Sequence, residues 1–299
     1  MKIALAQIAP RLGDPDANLS RHLAIAARAR GKGADLVVFP ELSLTGYLLQ
    51  DLVPEVAEEV SRGARLRKLA AASRGISIVA GFVERGAGLL HYNAAGCFVD
   101  GAIAHVHRKV YLPTYGMFDE GRHFAAGESF QTFSAPWGRT GLLVCEDFWH
   151  LSSPYLLSLQ GMEALIVISA GPAKGVDGSK DLRSGTTWVE LGRVVARHLS
   201  AWVVYVNRAG YEEGWAFQGG SFVCSPAGDV VASAKLLAED LVVATLRPAD
   251  LRKARLAAPL MRDEKIDLVR RELERVTAER SAPAAARAPV PRRSGAGRR

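Results

Sequence analysis

A cysteine at the end of a short apolar run has a residue type and a place in the sequence that suit chemistry. Cys145 follows residues 141–144, which have the composition of a buried core strand. Helix-compatible sequence comes next, so we expect the cysteine at the carboxyl edge of a sheet, where open α/β sheets place ligands. The positive end of a helix dipole there favours the thiolate, the nucleophilic form of the thiol. Because free cysteines are often buried as small hydrophobes, a core position is the alternative interpretation.

A carboxylate occupies a comparable place earlier in the chain. Glu41 comes directly after the apolar residues 36–39 and Pro40, which restricts the backbone at the exit of the predicted strand. A carboxylate in that position suits a general base. The alternative is a solvated loop acid or a cap for the next helix, because glutamate side chains are mostly exposed.

A lysine follows a third predicted strand. Lys109 lies just beyond residues 102–107, the second strand of a predicted hairpin. Its ammonium group is a cation that could stabilise a developing oxyanion. The alternative interpretation is a solvated surface lysine. We interpret the neighbouring His105 and His107 as strand-face residues rather than as catalytic bases.

Strands and helices that must position these three side chains alternate along the chain. This alternation, with a hairpin in the middle, predicts an α/β fold in which a mixed sheet is covered by helices. We expect one domain over residues 1–280, with a C-terminal helical segment at about 248–278, followed by a disordered tail over 281–299. The predicted strands are residues 2–8, 36–39, 76–83, 91–99, 102–107, 141–144, 164–168 and 202–206, with two or three more between 220 and 245. The predicted helices are residues 17–29, 55–73, 154–161, 186–199, 248–257 and 263–277.

The net charge of the chain is concentrated at its C-terminal end. Residues 281–299 contain five arginines and no acidic residue, and subtracting them from the net charge of +7 leaves +2 for residues 1–280. A nearly neutral body without recognition motifs argues against nucleic acid as the main partner. A nucleic-acid-binding or scaffold protein that acts through the arginine-rich tail is the alternative from another functional class.

Several kinds of site find no support in the sequence. The three cysteines lie far apart without a C-x-x-C pair, so neither a disulfide framework nor a zinc site is indicated. No phosphate-binding or dinucleotide-binding glycine motif occurs, and we expect no metal and no cofactor. No segment approaches 18 uninterrupted apolar residues, so we expect no membrane span. A reducing cytoplasm fits this cysteine usage.

Three ordered segments resemble one known family. FPEL (39–42), HRKVYLP (107–113) and VCED (144–147) occur in the order and context of the nitrilase, or carbon–nitrogen hydrolase, superfamily. The resemblance covers about residues 1–270. Within the superfamily, PELSLTGY (40–47), LPTYGMFDE (112–120) and CEDFW (145–149) are most similar to the glutaminase domain of glutamine-dependent NAD synthetase.

The resemblance implies a fold and a set of roles. The fold is the four-layer α-β-β-α sandwich of the nitrilase type. Cys145 would be the nucleophile, Glu41 the general base and Lys109 the oxyanion stabiliser, with Glu120 as a second glutamate that positions Lys109. The backbone N–H of residue 146 is a further oxyanion donor. The residues that the resemblance implies for a glutamine pocket are Tyr115, Phe118 and Glu146.

The expected activity is hydrolysis of a small primary amide with release of ammonia. Glutamine is one possible substrate. One departure concerns the substrate: where the synthetase branch tends to have Ser-Ala-Ser, this chain has Ser169-Ala170-Gly171, so a hydroxyl group is lost. A variant of the hypothesis makes the chain a glutaminase subunit that delivers ammonia to a separate synthetase. The resemblance also implies a homo-oligomer.

Overall fold

Two mixed β-sheets form the centre of the protein, in a computed structural model that describes residues 1–174 and 183–281. The first sheet has the strand order β14-β1-β2-β3-β4-β5, and the second has the order β13-β12-β9-β8-β7-β6. A separate hairpin consists of β10 and β11. The strands are, in chain order, β1 (Lys2–Gln7), β2 (Leu36–Val38), β3 (Ser77–Arg85), β4 (His91–Val99), β5 (Ala102–Arg108), β6 (Phe133–Ala135), β7 (Gly138–Val144), β8 (Ala164–Ser169), β9 (Trp202–Asn207), β10 (Ala209–Glu212), β11 (Trp215–Gln218), β12 (Phe222–Cys224), β13 (Val230–Ser233) and β14 (Asp240–Thr245).

Four helices, at residues 15–31, 64–72, 152–159 and 183–198, pack on the sheets. The first one begins at Pro15 because the side chain of Asp14 accepts a hydrogen bond from the backbone N–H of Ala17 at 3.0 Å, which caps the helix. Single 3₁₀ turns occur at Gln50–Leu52, Ala87–Leu89 and Cys145–Trp149. The helices are α1 (Pro15–Gly31), α2 (Val53–Val56), α3 (Ala64–Ala72), α4 (Glu120–His123), α5 (Ser152–Leu159), α6 (Arg183–His198), α7 (Pro248–Ala257) and α8 (Ile266–Ser281).

The packing follows from the two-residue alternation of the strands. On β1, Ile3 and Leu5 belong to the core between the two sheets, whereas Ala4 and Ala6 face the core formed with α1 and α3. Buried residues of α5 and α6 pack on the second sheet, among them Trp188. This arrangement confirms the α-β-β-α sandwich.

Strand direction brings the candidate residues to one edge of each sheet. β1, β2 and β3 are mutually parallel, and β5 runs in the same direction as β3 because two antiparallel pairings separate them. β7, β8 and β9 form a second parallel set. Glu41 therefore follows the exit of β2, Lys109 the exit of β5 and Cys145 the exit of β7.

One predicted helix was wrong. The helix predicted over residues 55–73 is interrupted: α2 ends at Val56 and α3 begins at Ala64, because the backbone between them bonds to a strand. The N–H of Glu58 donates to the carbonyl of Val83, and the N–H of Arg85 donates to the carbonyl of Glu58, both at 2.9 Å. The carboxylate of Glu58 also accepts the N–H of Arg65 at 3.2 Å, which favours a new helix start there.

The chain divides into one unit over Met1–Met261 and a second that begins at Arg262 and includes α8. The domain end predicted at residue 280 stays a prediction, and the tail after residue 281 lies outside the described residues. Within residues 1–174 and 183–281, no helix has the length and apolar composition that crossing a bilayer requires.

Candidate active site

Glu41 is held in a buried loop that lies directly against a strand. Only 1% of the surface of Glu41 is exposed to solvent. Gly81 of β3 makes the close approach possible, because a Cβ there would come within 2.3 Å of the backbone nitrogen of Leu42. The Oε1 atom of Glu41 accepts a hydrogen bond from Asn93 Nδ2 at 2.7 Å, and its Oε2 atom accepts the N–H of Ala170 at 2.7 Å. Both of these donors are buried.

Lys109 is a buried cation between two carboxylates. Its Nζ atom donates to Glu41 Oε1 at 2.8 Å and to Glu120 Oε1 at 2.7 Å, and the lysine side chain is fully buried. Burial alone would lower the pKa of Lys109, but the charges of Glu120 and Glu41 hold that pKa well above its ordinary value. Lys109 is therefore an ammonium ion, and we call Glu41, Lys109 and Glu120 the charge cluster.

Burial disfavours the charged form of Glu120. Burial raises its pKa to about 7, while the nearby Lys109 acts in the opposite direction. Glu120 is the first residue of α4, eleven positions after Lys109. The sequence-based prediction that Glu120 lies beside Lys109 agrees with this geometry.

Cys145 is the first residue of the 3₁₀ turn that follows β7, and its backbone is strained. Its φ of 47° lies in the left-handed region, which side-chain-bearing residues rarely adopt and which recurs at functional sites. Its Sγ atom accepts a hydrogen bond from Ser169 Oγ at 3.2 Å. The next residue, Ala170, donates to Glu41, so the end of β8 connects the sulfur to the charge cluster.

The α-helix expected to begin at the thiol begins further along the chain. No α-helix begins at Cys145, because the 3₁₀ turn intervenes and α5 starts only at Ser152. Burial raises the pKa of the Cys145 thiol well above its ordinary value, and the charge of Glu41 adds to that increase. A thiol with a raised pKa needs a base before it can act as a nucleophile.

Asp147 was not recognised from the sequence, although it lies in the CEDFW segment. It is fully buried, and its Oδ1 atom accepts the N–H groups of Val110 and Tyr111 at 2.9 and 3.0 Å. Its Oδ2 atom accepts the N–H of Val144 at 3.1 Å and lies 2.8 Å from His107 Nε2. Asp147 thus ties the segment that carries Lys109 to the turn that carries Cys145. His107 contacts this carboxylate, in keeping with its interpretation as a non-catalytic residue.

The predicted pocket residues lie together. Tyr115 donates its hydroxyl to Glu146 Oε2 at 2.8 Å, and its ring meets that of Phe118 edge to face at 5.6 Å. Lys174 Nζ lies 5.9 and 5.7 Å from the centres of these two rings. Tyr115 is 54% exposed. We call Tyr115, Phe118, Glu146 and Lys174 the aromatic rim.

Polar groups surround the position where the chain departs from the synthetase pattern. A Cβ on Gly171 would lie 3.2 Å from the hydroxyl of Tyr205, 3.3 Å from Trp188 Nε1 and 3.4 Å from Asn207 Nδ2. The backbone N–H of Gly171 donates to Asn207 Oδ1 at 2.8 Å. The hydroxyl group that this chain lacks would therefore lie among the polar atoms of Tyr205, Trp188 and Asn207. We call this place the polar corner.

The sequence pattern of one protein family, described as carbon-nitrogen hydrolase, matches residues 2–256. The chain belongs to the carbon–nitrogen hydrolase family. Among curated relatives of this hydrolase is the glutamine-dependent NAD(+) synthetase of Acinetobacter baylyi, 33% identical over 242 residues, a match that covers 80% of this chain and 43% of the relative. The chain spans less than half the length of the curated relatives that it matches first.

Solved structures of complete hydrolases are similar over most of their length. The NitN amidase from Nesterenkonia sp. AN1 has a TM-score of 0.76 and 27% identity, with 91% of this chain and 99% of that chain covered. A carbon–nitrogen hydrolase from Helicobacter pylori has a TM-score of 0.82 and 26% identity, with coverages of 91% and 98%. A variant of the Nesterenkonia amidase carries the acetamide moiety of fluoroacetamide, covalently added at its active-site cysteine.

The family assignment makes this chain a carbon–nitrogen hydrolase and favours that class over nucleic-acid binding. In the part of the chain that the structure describes, no group of three or more His, Cys, Asp or Glu side chains is arranged to hold a metal ion. The arginines of the tail lie outside the described residues, so the alternative function rests on composition alone.

Proposed function

We propose that this hydrolase cleaves a small primary amide, such as glutamine, through a thioester on Cys145. The observation that carries the proposal is the charge cluster together with its link to the sulfur. One buried ammonium lies between two buried carboxylates, and adjacent residues of β8 and its exit bond Cys145 and Glu41. An acid, a cation and a thiol in one buried site are the groups that acyl transfer to a thiol requires.

Acylation starts from the neutral thiol. Glu41 takes the proton of the thiol as Sγ attacks the carbonyl carbon of the amide, and the carbonyl oxygen becomes an oxyanion. Lys109 Nζ and the backbone N–H of Glu146 stabilise that charge. Glu41 then passes the proton to the departing nitrogen, the carbon–nitrogen bond breaks, and ammonia leaves a thioester on Cys145.

Deacylation reverses these roles with water. Glu41 removes a proton from a water molecule, whose oxygen attacks the thioester carbon. Lys109 again receives the oxyanion, and the carbon–sulfur bond breaks as the proton returns to Sγ. The products are the carboxylic acid and the free thiol. Within this cycle Glu120 is the residue that positions Lys109.

The chemistry of the aromatic rim favours a substrate with both a charged and an aliphatic part. The carboxylate of Glu146 suits an ammonium group, and the rings of Tyr115 and Phe118 suit the aliphatic part of a side-chain amide. Glutamine carries both features. The polar corner at Gly171 lacks the hydroxyl of the synthetase branch, so simple aliphatic amides belong in the same test.

The test is release of ammonia from glutamine, asparagine and simple aliphatic amides. Wild type, Cys145→Ala and Cys224→Ala are compared, because Cys224 is a buried cysteine of β12 away from the site. We expect wild type and Cys224→Ala to release ammonia and Cys145→Ala to stay at background. Equal rates in wild type and Cys145→Ala, or background rates in all three proteins, would contradict the proposal.

We also propose that the ammonia serves a synthetase module. The chain spans only 43% of a relative named glutamine-dependent NAD(+) synthetase, and this favours a glutaminase that works with a second module. We expect glutaminase activity to rise when a purified NAD(+) synthetase module and its substrates are added. Activity that is indifferent to the module would count against this role, without affecting amide hydrolysis.

The remaining expectations about assembly and location are proposals as well. The homo-oligomer implied by the family resemblance is tested by light scattering of the full chain, and a monomer at assay concentration would overturn it. The cytoplasmic location predicted from the cysteines is tested by fractionation of cells that produce the protein.

A further inference from the structure

A buried tyrosine contacts the charge cluster through Glu120. Tyr47 is 8% exposed, and its ring meets those of Phe118 and Phe217 edge to face, at 6.2 and 6.0 Å. Its hydroxyl donates to Glu120 Oε1 at 2.5 Å. The same oxygen accepts Lys109 Nζ at 2.7 Å. One carboxylate oxygen therefore receives both donors.

Glu120 has few other means of support. Its second oxygen, Oε2, is buried without a hydrogen-bond partner among residues 1–174 and 183–281. Within these residues Tyr47 and Lys109 are thus the donors that hold the carboxylate. A hydrogen bond to the charged form of a buried acid favours that form and fixes its orientation. Without the hydroxyl, Lys109 alone would orient Glu120.

A second buried ion pair holds the tyrosine itself. The Oε1 atom of Glu212, the last residue of β10, accepts the backbone N–H groups of Tyr47 at 2.9 Å and Leu48 at 2.7 Å. Its Oε2 atom pairs with Arg208 Nη1 at 2.7 Å, and both side chains are buried. The hairpin of β10 and β11 therefore fixes the backbone from which the tyrosine hydroxyl reaches Glu120.

We propose that Tyr47 is a positioning residue for amide hydrolysis: its hydroxyl keeps the Glu120 carboxylate turned toward Lys109, so that the ammonium stays aligned for the oxyanion. The inference rests on the proposed function and deepens it. Tyr47 acts through Glu120 and Lys109 rather than on the substrate. Its loss is expected to affect the chemical step and its pH dependence rather than substrate binding.

The expected pH effect follows from the groups that face Glu120. Burial raises the pKa of Glu120 to about 7, Lys109 lowers it, Glu41 raises it, and the hydrogen bond from Tyr47 lowers it. Removing the hydroxyl therefore raises the pKa further, and Glu120 becomes neutral at a higher pH. Other charged or titratable residues line a cavity of about 250 Å³ that Glu120 and Tyr47 share, namely Asp51, Asp119, Arg122 and His123.

The experiment compares Tyr47→Phe with wild type in the full chain, with the primary amide that wild type turns over fastest. The substitution removes one hydroxyl and keeps the ring, and thermal melting checks that the variant is folded. Tyr92→Phe is the matched control, because Tyr92 is a buried tyrosine of β4 outside the charge cluster. Rates are measured across the acid limb of the pH profile.

We expect Tyr47→Phe to lower kcat about tenfold, to leave KM within about twofold, and to move the acid limb of the profile up by about one pH unit. Tyr92→Phe should leave all three quantities unchanged. A Tyr47→Phe protein with wild-type kcat and an unmoved acid limb would overturn this inference while amide hydrolysis stands. If wild type releases no ammonia from any amide, the proposed function fails and the inference fails with it.

Discussion

The charge cluster and the aromatic rim differ in burial and in the pairing of their charges. Lys109 makes two ion-paired hydrogen bonds below 3 Å in full burial, where charge interactions are strong. Tyr115 is half exposed, and Lys174 lies almost 6 Å from the ring centres. The charge cluster is therefore buried and ion-paired, whereas the groups proposed to select the substrate are partly exposed to solvent. Chemistry and specificity are expected to respond to mutation in different ways.

The largest effect should come from removing the cation of the charge cluster. Lys109→Met leaves Glu41 and Glu120 without a counter-charge and takes away an oxyanion donor. We expect kcat to fall about 10³-fold and the free energy of unfolding to fall by about 3–5 kcal/mol. Activity assays and denaturant unfolding measure the two effects. The control is Lys68→Met on the exposed face of α3, and similar behaviour of the two variants would contradict the account.

Asp147→Asn should give the next largest effect. An amide at this position presents an NH₂ group to at least one of the N–H donors that Asp147 now accepts. We expect kcat to fall about 10- to 100-fold and the free energy of unfolding to fall by about 1–3 kcal/mol, with little change in KM. Asp229→Asn, at an exposed aspartate, is the control. A change in KM alone would place Asp147 in substrate binding instead.

The pH dependence distinguishes the two regions without mutation. Because burial raises the pKa of Glu120 to about 7, a larger fraction of Glu120 is neutral at mildly acidic pH than for an ordinary glutamate. Neutral Glu120 no longer balances Lys109, so we expect kcat to fall by up to about tenfold per pH unit as the pH drops below about 7. The pKa of Lys109 lies well above its ordinary value, so this lysine should cause no loss at moderately alkaline pH. An acid limb below about pH 5 would contradict this assignment.

The smallest and most selective effect is expected at the rim. Glu146→Gln removes the charge that suits a substrate ammonium but keeps a hydrogen-bond acceptor for Tyr115. We expect kcat/KM for glutamine to fall about tenfold, while simple aliphatic amides change less than about threefold. Glu55→Gln, at an exposed glutamate of α2, is the control. Equal losses of kcat/KM for glutamine and for simple aliphatic amides would contradict a separate role of the rim in substrate selection.

The sequence was informative where function depends on strand ends. Glu41, Lys109 and Cys145 each follow an apolar or hairpin strand, and parallel strands bring such ends to one edge. The roles of Asn93 and Asp147 could not be predicted from the sequence. These residues hold Glu41 and His107 through hydrogen bonds that join positions 52 and 40 residues apart in the chain. These contacts depend on how the two sheets pack, which local patterns do not encode.

Two further differences have the same cause. A helix beginning at Cys145 was expected to favour the thiolate, but a 3₁₀ turn occurs there instead, and burial beside Glu41 raises the pKa of the thiol. The predicted helix over 55–73 has a suitable composition, but the backbone of Glu58 bonds to β3 instead. In both cases a tertiary contact outweighs a local preference.

The central claim is that an acyl group passes through Cys145, and intact-protein mass spectrometry tests it most directly. The protein is mixed with the primary amide that it turns over, quenched in acid at short times, and digested to locate any adduct. We predict a mass increase equal to the acyl group on the peptide that contains Cys145, absent from Cys145→Ala and lost again as turnover ends. Rapid ammonia release by wild type with no adduct at any time, or undiminished release by Cys145→Ala, would contradict the account.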